Sequence, residues 1–168
     1  MDEVIVDFDG GYEFHYEDLS DGAITLEDFF AHLDWTDNGR HLWRAVSKMF
    51  TDIRILSTSH ADGETHEETV RGKKRWIHSN LKTIPDGHIY VVERRCYKAL
   101  YASETSILVD DLPETIREWE NKGGIGILHR DDQVEHTIAE LDRISNPSNL
   151  GEIAKSLPIV KRGFWNRK

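Results

Sequence analysis

The chain has 168 residues, a formal net charge of −10, 38% hydrophobic residues and 31% Asp, Glu, Lys and Arg. This length suits one domain with a modest insertion and the apolar fraction suffices for a core; the acidic balance argues against tight non-specific binding to duplex nucleic acid, which needs clustered Lys and Arg. With Cys96 as the single cysteine and the nine His scattered, an internal disulfide is excluded and a structural zinc site is not expected. No run approaches ~18 apolar residues and no basic segment precedes a long apolar one, so a membrane span and a signal peptide are not expected and a cytoplasmic setting is.

The first apolar run, Val4–Phe8, reads as a strand. The segment Tyr12–Phe50 then interrupts the pattern with two expected helices, Leu26–Leu33 and Gly39–Phe50, the second striped by Leu42, Trp43, Val46, Met49 and Phe50. Further strands are expected at Ile53–Ser57, Ile89–Val92, Ser106–Val109 and Ile125–Leu128. Several of these runs are continuous rather than alternating, as in parallel strands buried on both faces. Helices are expected at Thr65–Leu81, at Pro113–Lys122 with Pro at the start and Gly123-Gly124 as a stop, and at Asp132–Ile144. Strands alternating with helices argue for an α/β fold, a parallel sheet wrapped on both faces. The organisation expected is a core of residues 1–11 and 51–145, a small helical cap at 12–50 inserted after the first strand, and a basic tail at 146–168 ending in Lys161, Arg162, Arg167 and Lys168.

Four elements carry candidate chemistry. Asp7-Phe8-Asp9-Gly10-Gly11 closes the first expected strand, so Asp7 and Asp9 would point the same way at its C-terminal end, where ligands bind in open α/β sheets. Paired carboxylates there suit a cation; a polar turn is the plainer reading. Ser57-Thr58-Ser59 ends another strand, with hydroxyls that could donate to a phosphoryl oxygen or cap the next helix. Asp110-Asp111 follows Ile107-Leu108-Val109 and suits a hard cation or the cap of the helix at Pro113. Lys98, twelve positions before Asp110, is a phosphate ligand or a solvated surface residue. In the Lys73-Lys74-Arg75 cluster a solvated helix face is expected, with one member able to reach a substrate phosphate.

Asp-x-Asp, hydroxyl, Lys and Asp-Asp, each at or after an expected strand, resembles the motif order of the haloacid dehalogenase superfamily of phosphatases. The stretch from Ile53 to about Leu128, with Ser57-Thr58-Ser59, Gly72-Lys73-Lys74-Arg75-Trp76-Ile77, Lys98 and Leu108-Val109-Asp110-Asp111, is similar to the 5′(3′)-deoxyribonucleotidase branch. The chain departs from that branch at Gly11, where Val or Thr is usual, and at His60, where Pro is frequent. The resemblance implies a three-layer Rossmann-like core. It further implies a phosphomonoesterase in which Asp7 attacks phosphorus to form an aspartyl-phosphate and Asp9 exchanges protons with the leaving group and water. Mg²⁺ would be held by Asp7, the Asp9 carbonyl and one or both of Asp110 and Asp111, and the phosphoryl oxygens by Thr58, Ser59 and Lys98. The implied substrate is a (deoxy)nucleoside monophosphate, with Phe14, Tyr16 and Trp35, placed in loops, as candidates to stack on the base. Two other functions are weighed: a 3′-phosphatase acting on nucleic acid ends, and a non-catalytic binding domain on the same fold.

Overall fold

In the computed structural model, which describes residues 1–59 and 63–146, the chain runs α1 (Phe8–Ser20), α2 (Leu26–His32), α3 (Gly39–Met49), β1 (Ile55–Thr58), α4 (Gly63–Asn80), β2 (Ile89–Val92), β3 (Ile107–Asp110), α5 (Pro113–Asn121), β4 (Ile125–Leu128) and α6 (Val134–Ser145). Local chemistry explains several boundaries. Thr25 caps α2 by accepting from the Asp28 N–H, and Glu27 and Asp28 lie in that helix's positive first turn. Pro113 opens α5, and Gly123, with φ of +92°, lets the chain turn out of it. The expected tail lies outside the described residues apart from Asn146, as does His60. No helix among the described residues is long and apolar enough to cross a membrane.

The expected first strand does not form. The Met1 carbonyl accepts from the N–H groups of Val4, Ile5 and Val6, Glu3 adopts a φ of +53°, and the chain enters α1 at Phe8. Val4, Ile5 and Val6 are all buried, so the run is apolar because a tight turn is packed into the core. An extended strand would instead have sent alternate residues to opposite faces.

The other four strands stand close to their expected places and pair in parallel, but as two two-stranded sheets. β1 pairs with β2, Thr58 opposite Val92, and β3 with β4, Asp110 opposite Leu128. The fold is therefore mixed α/β. The segment expected to form a cap contributes Phe29, Phe30, Leu33 and Leu42 to the same apolar cluster as Ile55, Trp76 and Ile77. α2 packs on α4 at Gly72, where a Cβ would stand 2.5 Å from the Glu27 carbonyl oxygen and 2.8 Å from the Phe30 Cβ.

A partly open cavity of about 610 Å³ lies between the sheets, lined by Ile55 and Leu56 of β1, Ile107 and Val109 of β3, and Met1 and Leu42.

At the end of β4, His129 ties three elements together. Its N–H donates to the Asp110 carbonyl at 2.8 Å and its Nδ1 pairs with the Thr137 hydroxyl of α6 at 2.9 Å. Asp131, whose carboxylate lies 4.0 Å from the His129 Nε2, accepts from the Asn38 N–H at the start of α3. The imidazole is fully buried, and burial pushes its pKa below the usual 6.5; Asp131 and Asp132 act in the opposite sense, Arg130 in the same one. A histidine whose folded pKa is depressed stabilises the fold above its unfolded pKa, and that stability is lost as pH falls below it. Urea unfolding is expected to show stability dropping from pH 6.5 downward by up to about 1.4 kcal/mol per pH unit. His129→Gln should flatten that slope; an unchanged slope would assign the pH dependence elsewhere.

Candidate functional site

The site begins with an amine on α4. Lys73 shares a helical face with Thr69, Trp76 and Ile77, all buried, so its stem is carried into the interior. Its Nζ donates to Asp2 Oδ2 at 2.5 Å, to Ser57 Oγ at 2.9 Å and to the Thr58 carbonyl at 2.8 Å, and lies 4.8 Å from the centre of the Phe30 ring. All three ammonium donors are satisfied, as a buried ammonium requires. Burial still pulls the Lys73 pKa down, against the pull of Asp2 upward. For Asp2 burial pushes the carboxyl up, but Lys73, with help from the Met1 ammonium and then Lys98, outweighs it and holds the group below the usual carboxylate range.

A second amine arrives from the 3₁₀ segment Arg95–Tyr101. Lys98, buried, donates to Asp110 Oδ2 at 2.8 Å, and Asp110 Oδ1 accepts from the Leu112 N–H at 3.1 Å. The Asp111 carboxyl is pushed up by burial and then by Asp110. Both pairs belong to one electrostatic field: the charge of Lys98 bears on Asp2, on Lys73 and on the backbone nitrogen of Met1. The site thus gathers at the C-terminal ends of β1 and β3. Two buried atoms in it, Asp2 Oδ1 and Thr58 Oγ1, have no hydrogen-bond partner. Orphaned buried polar atoms cost stability, and these two are left with unused hydrogen-bonding capacity.

Of the expected site residues, the structure brings Thr58, Lys98, Asp110 and Asp111 together, with Ser59 next to Thr58. Ser59 Oγ pairs with His66 Nδ1 at 2.7 Å and its N–H donates to the Val92 carbonyl. Asp7 and Asp9 are not part of the group. Asp7 is the N-cap of α1, accepting from the Gly10 N–H at 2.9 Å, and a Cβ at residue 10 would collide with the Asp7 carboxylate. Asp9 is exposed and its N–H donates to Glu3 Oε1. The charges of Asp7 and Asp9 fall on Glu3, whose carboxyl is pushed up by burial and then by Asp9 and Asp7. The correction has a simple cause: the chain enters α1 at Phe8, so the Asp7 carboxylate is turned to cap the helix while Asp9 lies exposed on its first turn.

The expected Mg²⁺ ligands are accordingly not assembled. Among the described residues no three His, Cys, Asp or Glu side chains gather as a metal ion would require. A hard cation takes about six oxygens, and both Asp110 oxygens are held by N–H donors. The arrangement does not fit a cation.

The expected base-stacking aromatics are also placed differently. Phe14 and Tyr16 lie on α1 rather than in a loop, Phe14 82% exposed. Trp35 packs on Trp76 with ring centres 4.9 Å apart, donates from Nε1 to Asn80 Oδ1, and carries Arg40 over its face. Its ring surface is occupied by the fold.

One site residue, Asp2, escaped the sequence reading, and Lys73 entered it only as one of three basic residues on a helix face expected to be solvated. Lys73 carried a signal, its place three and four residues before Trp76 and Ile77 on an apolar stripe. Asp2 carried none, since the strand expected at Val4–Phe8 drew attention to the acids at that strand's end. Removing one member of a buried ion pair strands the other. Lys73→Met is expected to cost about 3 kcal/mol in urea unfolding, and Asp2→Leu combined with Lys73→Met to recover most of it. A single variant as stable as the unaltered chain would show that the pair anchors nothing. The sequence matches no protein-family model and no curated protein.

Proposed function

We propose that this chain is a phosphomonoesterase, with its site at Asp2, Ser57, Thr58, Lys73, Lys98 and Asp110. The observation that carries the reading is the convergence of two buried ammonium groups with two unpartnered buried oxygens, Asp2 Oδ1 and Thr58 Oγ1. Buried cations at the C-terminal ends of parallel strands favour a compact anion. An unpartnered hydroxyl can donate to a phosphoryl oxygen, and an ionised carboxylate beside it can accept a proton.

On this reading Lys98 exchanges Asp110 for a phosphoryl oxygen and Thr58 Oγ1 donates to another, offsetting the charge that builds up in the transition state. Lys73 keeps Asp2 ionised and fixes its Oδ2, leaving Oδ1 to take a proton from the water that attacks phosphorus. The ester P–O bond breaks as the new P–O bond forms, and the departing alkoxide takes a proton from solvent, giving the alcohol and inorganic phosphate. Asp7 has no part in this scheme, because its carboxylate caps α1; the aspartyl-phosphate expected at that residue is not proposed. The substrate class proposed, a (deoxy)nucleoside monophosphate, is supported by the likeness of the Ser57-Thr58-Ser59, Lys98 and Asp110-Asp111 order to the deoxyribonucleotidase branch. One observation favours the non-catalytic alternative: each buried amine already faces a carboxylate.

Phosphate release from deoxynucleoside monophosphates, 3′-phosphorylated oligonucleotides and p-nitrophenyl phosphate, each with and without Mg²⁺, tests the reading. Mononucleotide turnover is expected, with Asp2→Asn lowering kcat about 10²- to 10⁴-fold and Asp7→Asn leaving it unchanged. Loss of turnover in Asp7→Asn with retention in Asp2→Asn would return the chemistry to the start of α1. Release from oligonucleotide ends alone would replace the substrate, and no release from any substrate would favour the binding domain.

A further inference from the structure

We infer that the cavity between β1 and β3 is a seat for one extended apolar peptide strand, which would join the two sheets in the order β2, β1, strand, β3, β4. The inference does not depend on the phosphatase reading. It begins from which residues line the cavity. Successive side chains of a strand point to opposite faces of its sheet. A cavity over one face is therefore lined by alternate residues. This one is lined by consecutive residues of both strands, Ile55 and Leu56 on one side and Ile107, Leu108 and Val109 on the other. It flanks the edges of β1 and β3. The opposite edge of β1 is taken by β2 and that of β3 by β4, and neither strand has a second strand partner among the described residues.

Two open edges facing one another across an apolar gap present rows of backbone N–H and C=O groups. A fatty chain or another small apolar ligand would cover the side chains and leave those backbone groups unanswered, whereas a polypeptide strand satisfies both. The two edges run in the same sense. The end of β1 at Thr58 and the end of β3 at Asp110 meet in the charge cluster of Lys73 and Lys98, while Ile53 and Thr105, ahead of these strands, line the same cavity. One strand can therefore pair with both. Such a strand is buried on both faces, so its residues would be apolar at consecutive positions rather than alternating. About five residues match the lined length of each edge.

Every strand pair formed here is parallel, and a strand that follows this sense brings its carboxyl end to the charge cluster. Met1 is positioned to receive it. Its side chain lines the cavity and its nitrogen is buried, surrounded by the charges of Lys98, Asp2, Asp110 and Lys73. A strand joined there would deliver its last residue to the site, next to Asp2.

The test uses the full chain with two probes, an acetylated Val-Ile-Val-Val-Ile peptide and the same peptide with Pro at its second and fourth positions, each free in solution and each joined to the Met1 nitrogen. Hydrogen exchange is followed at the amides of β1 and β3. The apolar strand is expected to slow exchange at Ile55–Thr58 and Ile107–Asp110 by about tenfold or more, more fully when joined, and to raise Tm. The Pro peptide, whose second and fourth residues lack the donors facing one of the two edges and so cannot bridge them, should do neither. Equal protection by the Pro peptide, protection by decanoate alone, or dimerisation of the chain with the same amides protected would each overturn the inference. So would unchanged exchange with the joined apolar strand.

Discussion

One buried ammonium group holds the first residues of the chain to the rest of the molecule. Lys73 reaches from α4 to Asp2, to the Ser57 hydroxyl and to the Thr58 carbonyl. These three partners belong to two parts of the chain, the turn before α1 and the end of β1. No hydrophobic contact could select them so narrowly, because apolar burial has no direction. The ammonium stays charged inside the protein only while its acceptors stay in place, and the acceptors stay in place because the charge is there. The same contact makes Asp2 a site residue: without Lys73 a carboxylate in this position would be driven toward its neutral form.

The electrostatics of the site follow from this anchor and its counterpart. Lys98 and Asp110 repeat the arrangement on the second sheet, from a 3₁₀ segment rather than a helix. Each amine is balanced by a carboxylate, so the group is close to neutral while remaining polar at its centre. Such an arrangement is stable without a ligand and still offers charge to an anion that displaces a carboxylate. Asp111, disfavoured in its charged form by burial and by Asp110, limits how much further negative charge the second sheet can bring to the site.

Much of the architecture was legible in the sequence because its signals were local. β2 and β4 stand at their expected positions, and α5, with Pro113 at its start, within a residue of them. α2 and α3 likewise begin at Leu26 and Gly39 as expected. The start of the chain was not legible, for a physical reason. Val4, Ile5 and Val6 are β-branched and apolar, which favours a strand, but the Met1 carbonyl gathers their N–H groups into a turn and Asp7 turns its carboxylate to cap α1. A cap and a strand end use the same residue type, and hydrogen bonding decided between them. The expected positions of Asp7 and Asp9 rested on that strand and shifted with it. Lys73 was misread by its type: a lysine in a basic cluster is ordinarily solvated, and here helical spacing placed it 1% exposed among buried residues. The separation into two sheets could not be read at all, since each strand's local pattern is compatible with either arrangement.

The claim on which the functional account turns is the location of the anion site. An amide and side-chain NMR titration with inorganic phosphate measures it directly. The account predicts that the amides of Thr58 and Ser59 and the ammonium signals of Lys73 and Lys98 shift together along one saturating curve, while Asp7, Asp9 and Gly10 stay where they are. Shifts confined to the start of α1, with Lys73 and Lys98 unmoved, would contradict it.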